Sequence, residues 1–372
     1  MGPYPHTAPR SQISPDNPIG TDGFEFVEFT DQNPEKLESL FRQMGYTEVA
    51  RHKSKAVSVW RQGDINYLIN AEPGSHAAQF FEAHGPSAPS MAWRVADAQH
   101  AFDTAVSKGA TPYVEEGKTL DVPAIVGIGG SLLYFVDQYG DKGSVYENEF
   151  DWTDQPDPNP EGLGFYYLDH LTHNVFRGNM DTWWHFYRDL FGFTQIHFFD
   201  IAGKMTGLIS RAITSPCGKI RIPLNESTDD KSQIESYLEK YKGEGIQHIA
   251  VGSENLYDAT DLLAENDLKF MPGPPDVYYE KSSERVADHN EPIERLRKHG
   301  ILIDGEGVID KGNGNRMTKI LLQIFSKTVV GPIFFEFIQR KGDEGFGEGN
   351  FKALFESIEE EQIRSGELRD AI

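Results

Sequence analysis

Alternation of apolar and polar positions, interrupted by helix-like spacing, runs through this chain of 372 residues. Gly23–Phe29 (GFEFVEF) alternates with the two-residue period of a strand. Pro34–Met44 follows with helical spacing and is closed by Gly45, a residue suited to a left-handed helix end. The same order returns later. Leu168–Val175 (LDHLTHNV) alternates, Met180–Phe191 has helical spacing, and Gly192 closes it. Inside each half the motif repeats once more: strand Ser90–Val95 before helix Ala98–Lys108, and strand Ile246–Val251 before helix Leu256–Asn266. Each half ends in an apolar strand, Ser131–Asp137 and Ile333–Gln339, and Gly312-Asn-Gly-Asn315 reads as a hairpin turn. The pattern predicts four strand–helix–strands units, two per half. That is an α+β fold of two domains, with helices outside curved sheets.

The breaks in the pattern set the domain boundaries. Residues 1–20 lack periodicity and read as a flexible arm. Residues 151–162 carry three prolines among repeated acids, a stiff linker between a domain at 21–150 and another at 163–342. Residues 343–372 begin with glycines alternating with Phe346 and Glu348. They continue as a helix with an apolar face at Phe351, Leu354, Phe355 and Ile358.

Composition narrows the chemistry. The net charge of −23 argues against nucleic acid or an acidic membrane as partner, since both need a basic face. No apolar run approaches the roughly 20 residues of a membrane helix, and no signal peptide is evident, so the expected location is the cytoplasm. A single cysteine, Cys217, excludes a disulfide scaffold or a zinc–thiolate site and reads as an inert thiol. Any metal ligands must be histidines and carboxylates. Gly127-Ile-Gly-Gly130 precedes a strand and lacks the order of a nucleotide-binding loop.

Laying the second half over the first isolates those ligands. His170 stands where the first half has Glu25, His248 where it has Ala92, and Glu336 where it has Tyr134. In a sheet that closes on itself these strands meet. Two imidazoles and one carboxylate form the facial triad of non-haem Fe(II) enzymes, with positions left open for substrate and oxygen. Alternation puts His170 on one face with Leu168 and Thr172, and His173 on the other with Val175, a core or supporting histidine. An isolated strand histidine is most often structural; three candidates at equivalent repeat positions weigh against that. Glu336 lies in the apolar run FFEFI, where an ionised carboxylate must be paired or metal-bound. The alternative to a metal is an ion pair with Arg340, Arg316 or Arg221.

Longer motifs carry a family resemblance. DHLTHNV from Asp169, RIPLNE from Arg221, GIQHIA from Gly245, LLQIF from Leu321, FFEFIQRKG from Phe334 and GFGEGNF from Gly345 resemble the bacterial type of 4-hydroxyphenylpyruvate dioxygenase. The likeness runs from about Thr21 to Gly366. It implies the vicinal-oxygen-chelate (glyoxalase-like) fold of paired βαβββ modules, with a metal-free first domain and a catalytic second one. It further implies one Fe(II) per subunit on His170, His248 and Glu336. 4-Hydroxyphenylpyruvate would chelate the iron through its 2-oxo acid, with O2 alongside. Oxidative decarboxylation, ring hydroxylation and side-chain migration would give homogentisate and CO2, a step of tyrosine and phenylalanine catabolism.

By the same resemblance Ser210, Asn225 and Gln233 form a polar network around the phenol end and the ring. Gln323 and Phe325 share a strand face toward the cavity, and Phe346, Asn350 and Phe351 contact substrate. Gln247 matches as well, although a regular strand sends it opposite His248. The glycine-rich hinge and helix at 343–372 would form a lid, and the family implies a homo-oligomer, dimer or tetramer. Two rivals stand beside this reading: hydroxymandelate synthase, which has a smaller aliphatic residue at the position of Phe325, and a metal-free binding protein of the same fold. Deleting the residues after Gly342 is expected to preserve iron binding and abolish turnover, measured by metal analysis and oxygen uptake side by side. Full activity of the truncated chain would remove the lid.

Overall fold

The computed structural model describes residues 9–154, 157–202, 207–274, 276–305, 308–310, 316–347 and 349–350. The first half runs β1 (Thr21–Thr30), α1 (Pro34–Gln43), β2 (Thr47–His52), β3 (Val57–Gln62), β4 (Ile65–Asn70), α2 (His76–His84), β5 (Ser87–Val95), α3 (Ala98–Ser107), β6 (Ala124–Val126), β7 (Leu132–Val136) and β8 (Phe150–Trp152). The second runs β9 (Phe165–Val175), α4 (Met180–Phe191), β10 (Thr194–Ala202), β11 (Gly207–Thr214), β12 (Arg221–Ser227), α5 (Gln233–Tyr241), β13 (Gly245–Ser253) and α6 (Leu256–Glu265). It continues through α7 (Asp276–Glu280), α8 (Ser282–Arg285) and α9 (Ile293–His299) to β14 (Leu302–Asp304), β15 (Val308–Asp310), β16 (Arg316–Thr318), β17 (Ile320–Phe325) and β18 (Phe334–Lys341).

Local signals explain the elements. α1 starts at Asn33, whose side chain accepts the Glu35 amide, and buries Leu37, Leu40 and Phe41. α4 ends at Gly192, with φ 77° in the left-handed region that glycine favours. β15 and β16 pair antiparallel around the expected hairpin, whose turn at 312–315 lies outside the described residues.

Each half forms an eight-stranded sheet, ordered β6-β7-β5-β1-β4-β3-β2-β8 and β10-β11-β12-β9-β13-β18-β17-β14. In both, the first strands of the two modules pair antiparallel at the centre, β1 with β5 and β9 with β13. Parallel neighbours flank them: β4 and β7 in one sheet, β12 and β18 in the other. In the second module one strand has shrunk to a single bridge between Pro112 and Ile125. The fourth module carries α7–α9 and the β15–β16 hairpin as an insertion.

Three expectations change. Residues 9–20, read as a flexible arm, are held down: Arg10 pairs with Asp141 and lies over Tyr139, Asn17 bonds Thr21, and Ile19 is buried. β8 takes Asp151 and Trp152, assigned to the linker, into the first sheet through β2. Register also corrects the overlay of the two halves. Ala92 pairs with Phe26 and Tyr134, while Ala250 pairs with His170 and Glu336. Glu28 pairs with Ser90, as Thr172 pairs with His248. Hence Phe26, Ser90 and Tyr134 occupy the three ligand positions, and Glu25 corresponds to Asp169 rather than His170.

The concave faces differ accordingly. That of the first sheet is filled by Phe26, Val59, Leu68, Ala92, Leu132, Tyr134 and Val136, all buried, with Phe26 and Tyr134 rings 5.7 Å apart. The other face of each sheet joins one apolar core across the halves, where Trp93 stacks on Phe193 at 5.4 Å and Phe29 meets Phe335 at 6.0 Å.

His173 faces this shared core, as alternation predicts, with its Nε2 2.7 Å from the Tyr187 hydroxyl. Burial pushes its pKa from 6.5 down to about 3. The unfolded chain therefore takes up the proton first, so stability present above pH 6.5 is lost as pH falls toward 3. Between pH 6.5 and pH 5 the loss is about 2 kcal/mol. Replacing the imidazole by an amide, His173→Gln, should bring the urea midpoints at acid and neutral pH closer together than in the parent.

Candidate metal centre

His170 on β9, His248 on β13 and Glu336 on β18 are brought together by three adjacent strands at the middle of the second sheet. All three are buried, and their ligand atoms lie within 4.8 Å of one another. Glu336 Oε2 is 3.0 Å from His170 Nε2 and 3.2 Å from His248 Nε2. Among the described residues this is the one cluster of three or more such side chains with metal-binding geometry. Of the alternatives to a metal, Arg340 and Arg221 are directed to Asp169.

Two irregularities in the central strand pair complete the site. The β9–β13 register skips Asp169 and skips Gln247, one residue before each histidine. A bulge residue escapes the alternation, so both side chains turn toward the imidazole that follows them. Asp169 Oδ1 lies 2.7 Å from His170 Nδ1, and Gln247 Oε1 lies 3.0 Å from His248 Nδ1. Each Nδ1–H is thereby donated away, leaving Nε2 to accept a metal. Gln247 therefore stands beside His248, not opposite it. The same bulge moves Leu168 off the His170 face and into the apolar core. The third ligand is held likewise: Gln323 Nε2 donates to Glu336 Oε1 at 2.7 Å, leaving Oε2 for the metal.

The electrostatics match this division. Burial alone would raise the Glu336 pKa; the two imidazoles override it and hold the carboxyl at about 2. For Asp169, burial is overridden by Arg340, Arg221 and His170, which hold it well below the carboxylate range. Burial lowers His248, whereas His170 is raised because Glu336 and Asp169 outweigh its burial. Two oriented Nε2 atoms and one ionised oxygen suit a divalent first-row metal.

The cluster opens on a small cavity lined by His170, Thr172, Phe199, Ser210, Ala212, Pro223, His248, Gln323, Phe325, Glu336 and Phe346. Of the residues expected from sequence, Ser210, Gln323, Phe325 and Phe346 line it directly. Gln233 and Gln247 stand behind His248, joined at 2.8 Å. Asn350 stands behind Gln323, which accepts its amide at 2.8 Å, and Asn350 in turn accepts the Tyr278 hydroxyl at 2.7 Å. Phe351 lies outside the described residues. Asn225 is buried beside Ser210 in register, and Asn174 beside Asn225, so one polar row crosses β11, β12 and β9. Ser210 Oγ, Asn225 Oδ1 and both amide atoms of Asn174 have no hydrogen-bond partner among the described residues. Leaving such groups unpaired costs about 1–3 kcal/mol each, which marks the row as a place for a polar ligand group.

Sequence reasoning placed Thr172 on the His170 face without a role, and missed Asn174, Asp169 and the apolar wall of Phe199, Ala212 and Pro223. Two-residue spacing was the available signal: Asn174 and Thr172 follow His170 on its face, and Ala212 follows Ser210.

Fold and site define a metal-binding enzyme of the glyoxalase and dioxygenase type, and residues 167–291 match the family model described as Glyoxalase/Bleomycin resistance protein/Dioxygenase superfamily. Residues 15–151 match the model described as Hydroxyphenylpyruvate dioxygenase, HPPD, N-terminal. The chain is 53% identical to 4-hydroxyphenylpyruvate dioxygenase of Pseudomonas aeruginosa over 362 residues, covering 96% of this chain and 98% of that protein. It is 54% identical to hemolysin VllY of Vibrio vulnificus, covering 95% and 99% of the two chains. A solved mutant of 4-hydroxymandelate synthase from Streptomyces coelicolor shares the fold, with a TM-score of 0.77 at 22% identity over 92% of this chain and 99% of that one. The chain belongs to the 4-hydroxyphenylpyruvate dioxygenase family and is a dioxygenase, an oxidoreductase.

Because Gln247 fixes the His248 tautomer, Gln247→Leu should weaken divalent-metal affinity by about 10-fold, in the range seen for partners of ligating histidines. His248→Ala should weaken it further. Titration against a competing chelator measures both.

Proposed function

We propose that the chain converts 4-hydroxyphenylpyruvate and O2 to homogentisate and CO2, using one Fe(II) per subunit held by His170, His248 and Glu336. The triad and Ser210 line one cavity, and Ser210 begins a row of buried, unpaired polar side chains that continues in register through Asn225 and Asn174; that juxtaposition carries the reading. Iron bound there would supply the activation of O2, chemistry that no side chain provides.

The chain's own residues do the positioning. The substrate's 2-oxo acid would lie toward the triad and its phenol toward Ser210, Asn225 and Asn174, whose unpaired groups the phenol oxygen and its proton would satisfy. Gln233, expected at the phenol end, instead supports the metal end, through Gln247 and His248. Phe325 and Phe346 flank the ring, and Phe346 also meets the His170 imidazole edge-on at 5.5 Å. With Phe199, Ala212 and Pro223 they make an apolar wall that excludes water while the side chain migrates. Gln323 keeps one Glu336 oxygen occupied, so the carboxylate presents the other.

Phe325, held against Phe334 by an edge contact at 6.2 Å, stands where the synthase has a smaller aliphatic residue, and that difference supports ring attack over the benzylic outcome. The domain at 163–342 carries the chemistry in this reading, and the one at 21–150 is metal-free because Phe26, Ser90 and Tyr134 replace the ligands. Among the described residues no helix is long and apolar enough to cross a membrane, and we place the enzyme in the cytoplasm as a homo-oligomer, dimer or tetramer. Oxygen uptake with 4-hydroxyphenylpyruvate, with the product separated by chromatography, should give homogentisate. 4-Hydroxymandelate would refute the assignment, and absence of uptake after anaerobic Fe(II) loading would favour a binding protein.

A further inference from the structure

We propose that Asp169, Arg340 and Arg221 form a latch through which the 343–347 segment and the His170 imidazole hold each other in place, so that Arg340 is a positioning residue for the metal centre. The inference rests on the reading of His170 as a metal ligand.

The latch is a continuous chain of contacts. Asp169 is fully buried and sits beside His170 Nδ1 at 2.7 Å. Arg340, also buried, grips it with two nitrogens, Nε to Oδ2 and Nη2 to Oδ1, both at 2.8 Å. That fork is the geometry in which guanidinium and carboxylate fix each other's orientation. The remaining nitrogen, Nη1, donates to the backbone carbonyls of Asp343 and Gly345, and the guanidinium lies 5.9 Å from the Phe346 ring. Arg221 bridges the same ends, with Nη1 3.6 Å from Asp169 and Nη2 2.5 Å from Glu344. Phe346 then returns to the cavity wall against His170.

The first half shows what is particular here. Glu25 is the equivalent bulge carboxylate and it also holds an arginine, Arg94, at 2.6 Å. Arg94 turns its other nitrogens to Asp64, an exposed side chain, at 2.6 and 2.8 Å. Where an imidazole follows the bulge, the arginine instead faces the segment that covers the cavity. A bulge acid with an arginine is thus common to both halves; the connection from ligand to covering segment belongs to the metal-bearing half alone.

Coupling of this kind is reciprocal: whatever the segment does for the metal, the metal does for the segment. The test is amide hydrogen exchange at residues 343–347 in the full-length protein, with and without Co(II) as a redox-inert probe. Co(II) should slow exchange in the parent by about fivefold, a typical coupling. In Arg340→Gln, and in the charge-neutral pair Asp169→Asn/Arg340→Gln that avoids an unpaired buried charge, the Co(II)-dependent slowing should vanish. Co(II) affinity should fall by a similar factor. Arg340→Lys, which cannot form the fork, should recover only part of both, and Glu344→Gln at the exposed end should lose part of the slowing. A merely structural role would lower thermal stability and leave the ratio of exchange rates unchanged. Co(II) binding with the parent's full slowing retained in the neutral pair overturns the latch alone. Failure of the parent to bind Co(II) overturns the metal-centre reading and the latch with it.

Discussion

The active centre depends on a single-residue slip of backbone, made twice. β9 and β13 pair antiparallel, and in a regular ladder the residue before each histidine would point away from it. One skipped residue in each strand reverses that, so Asp169 and Gln247 meet the imidazoles they precede. Without the slips, two histidines would enter the cavity with either nitrogen free to face the metal and nothing to fix the ring. With them, Nδ1 is occupied on both, and Nε2 is the atom presented. The cost of breaking the ladder is local, because paired residues resume on both sides of each bulge.

The fold supplies this pair of strands by duplication. Joining two modules through their first strands puts equivalent positions next to each other across a local two-fold axis, so ligands at matched places converge without a long loop to carry them. The first half has the same frame and the same bulge acid, yet Phe26 and Tyr134 fill its concave face. A plugged interior needs no polar partner. The second interior carries His170, Thr172, Asn174, Ser210, Asn225, His248, Gln323 and Glu336, and burying that many polar groups is tolerable where hydrogen bonds, a metal and a ligand satisfy them.

How far the sequence could be read follows from what its signals encode. Helical spacing placed α4 to the residue, from Met180 to just before Gly192, and alternation found the central strands β1, β5, β9 and β13, whereas α2, α5, β2–β4 and β10–β12 were not read. His170, His248 and Glu336 were legible because a histidine or carboxylate inside an apolar strand is physically expensive. Bulges leave no such trace. Glu25 was matched to His170 because counting along a regular strand cannot see a skipped residue, and Gln247 was sent to the wrong face for the same reason. Asp169 and its arginines were visible as charges in apolar strands, but nothing in the sequence says that Arg340 and Asp169, far apart along the chain, share one site. The arm at 9–20 misled in another way: it is polar and proline-rich, and it is held by ion pairs and backbone bonds that hydropathy does not report.

Charge shows why local arrangement outweighs composition. The chain carries −23 overall, and a 2-oxo acid substrate is itself an anion. Exposed carboxylates act across water and are screened within about 8 Å at physiological salt. Inside the cavity the field is set by a few buried groups. Asp169 is matched by Arg340 and Arg221, which leaves Glu336 as the carboxylate facing the cavity. A divalent ion held by a single ionised ligand and two neutral imidazoles would leave that spot positive, and one substrate carboxylate would bring it close to neutral. Had the third ligand also been joined by an unpaired Asp169, the metal's charge would already be cancelled. The arginines therefore do more than hold a bulge: by neutralising Asp169 they would keep a bound metal's attraction for an anion intact within an acidic protein.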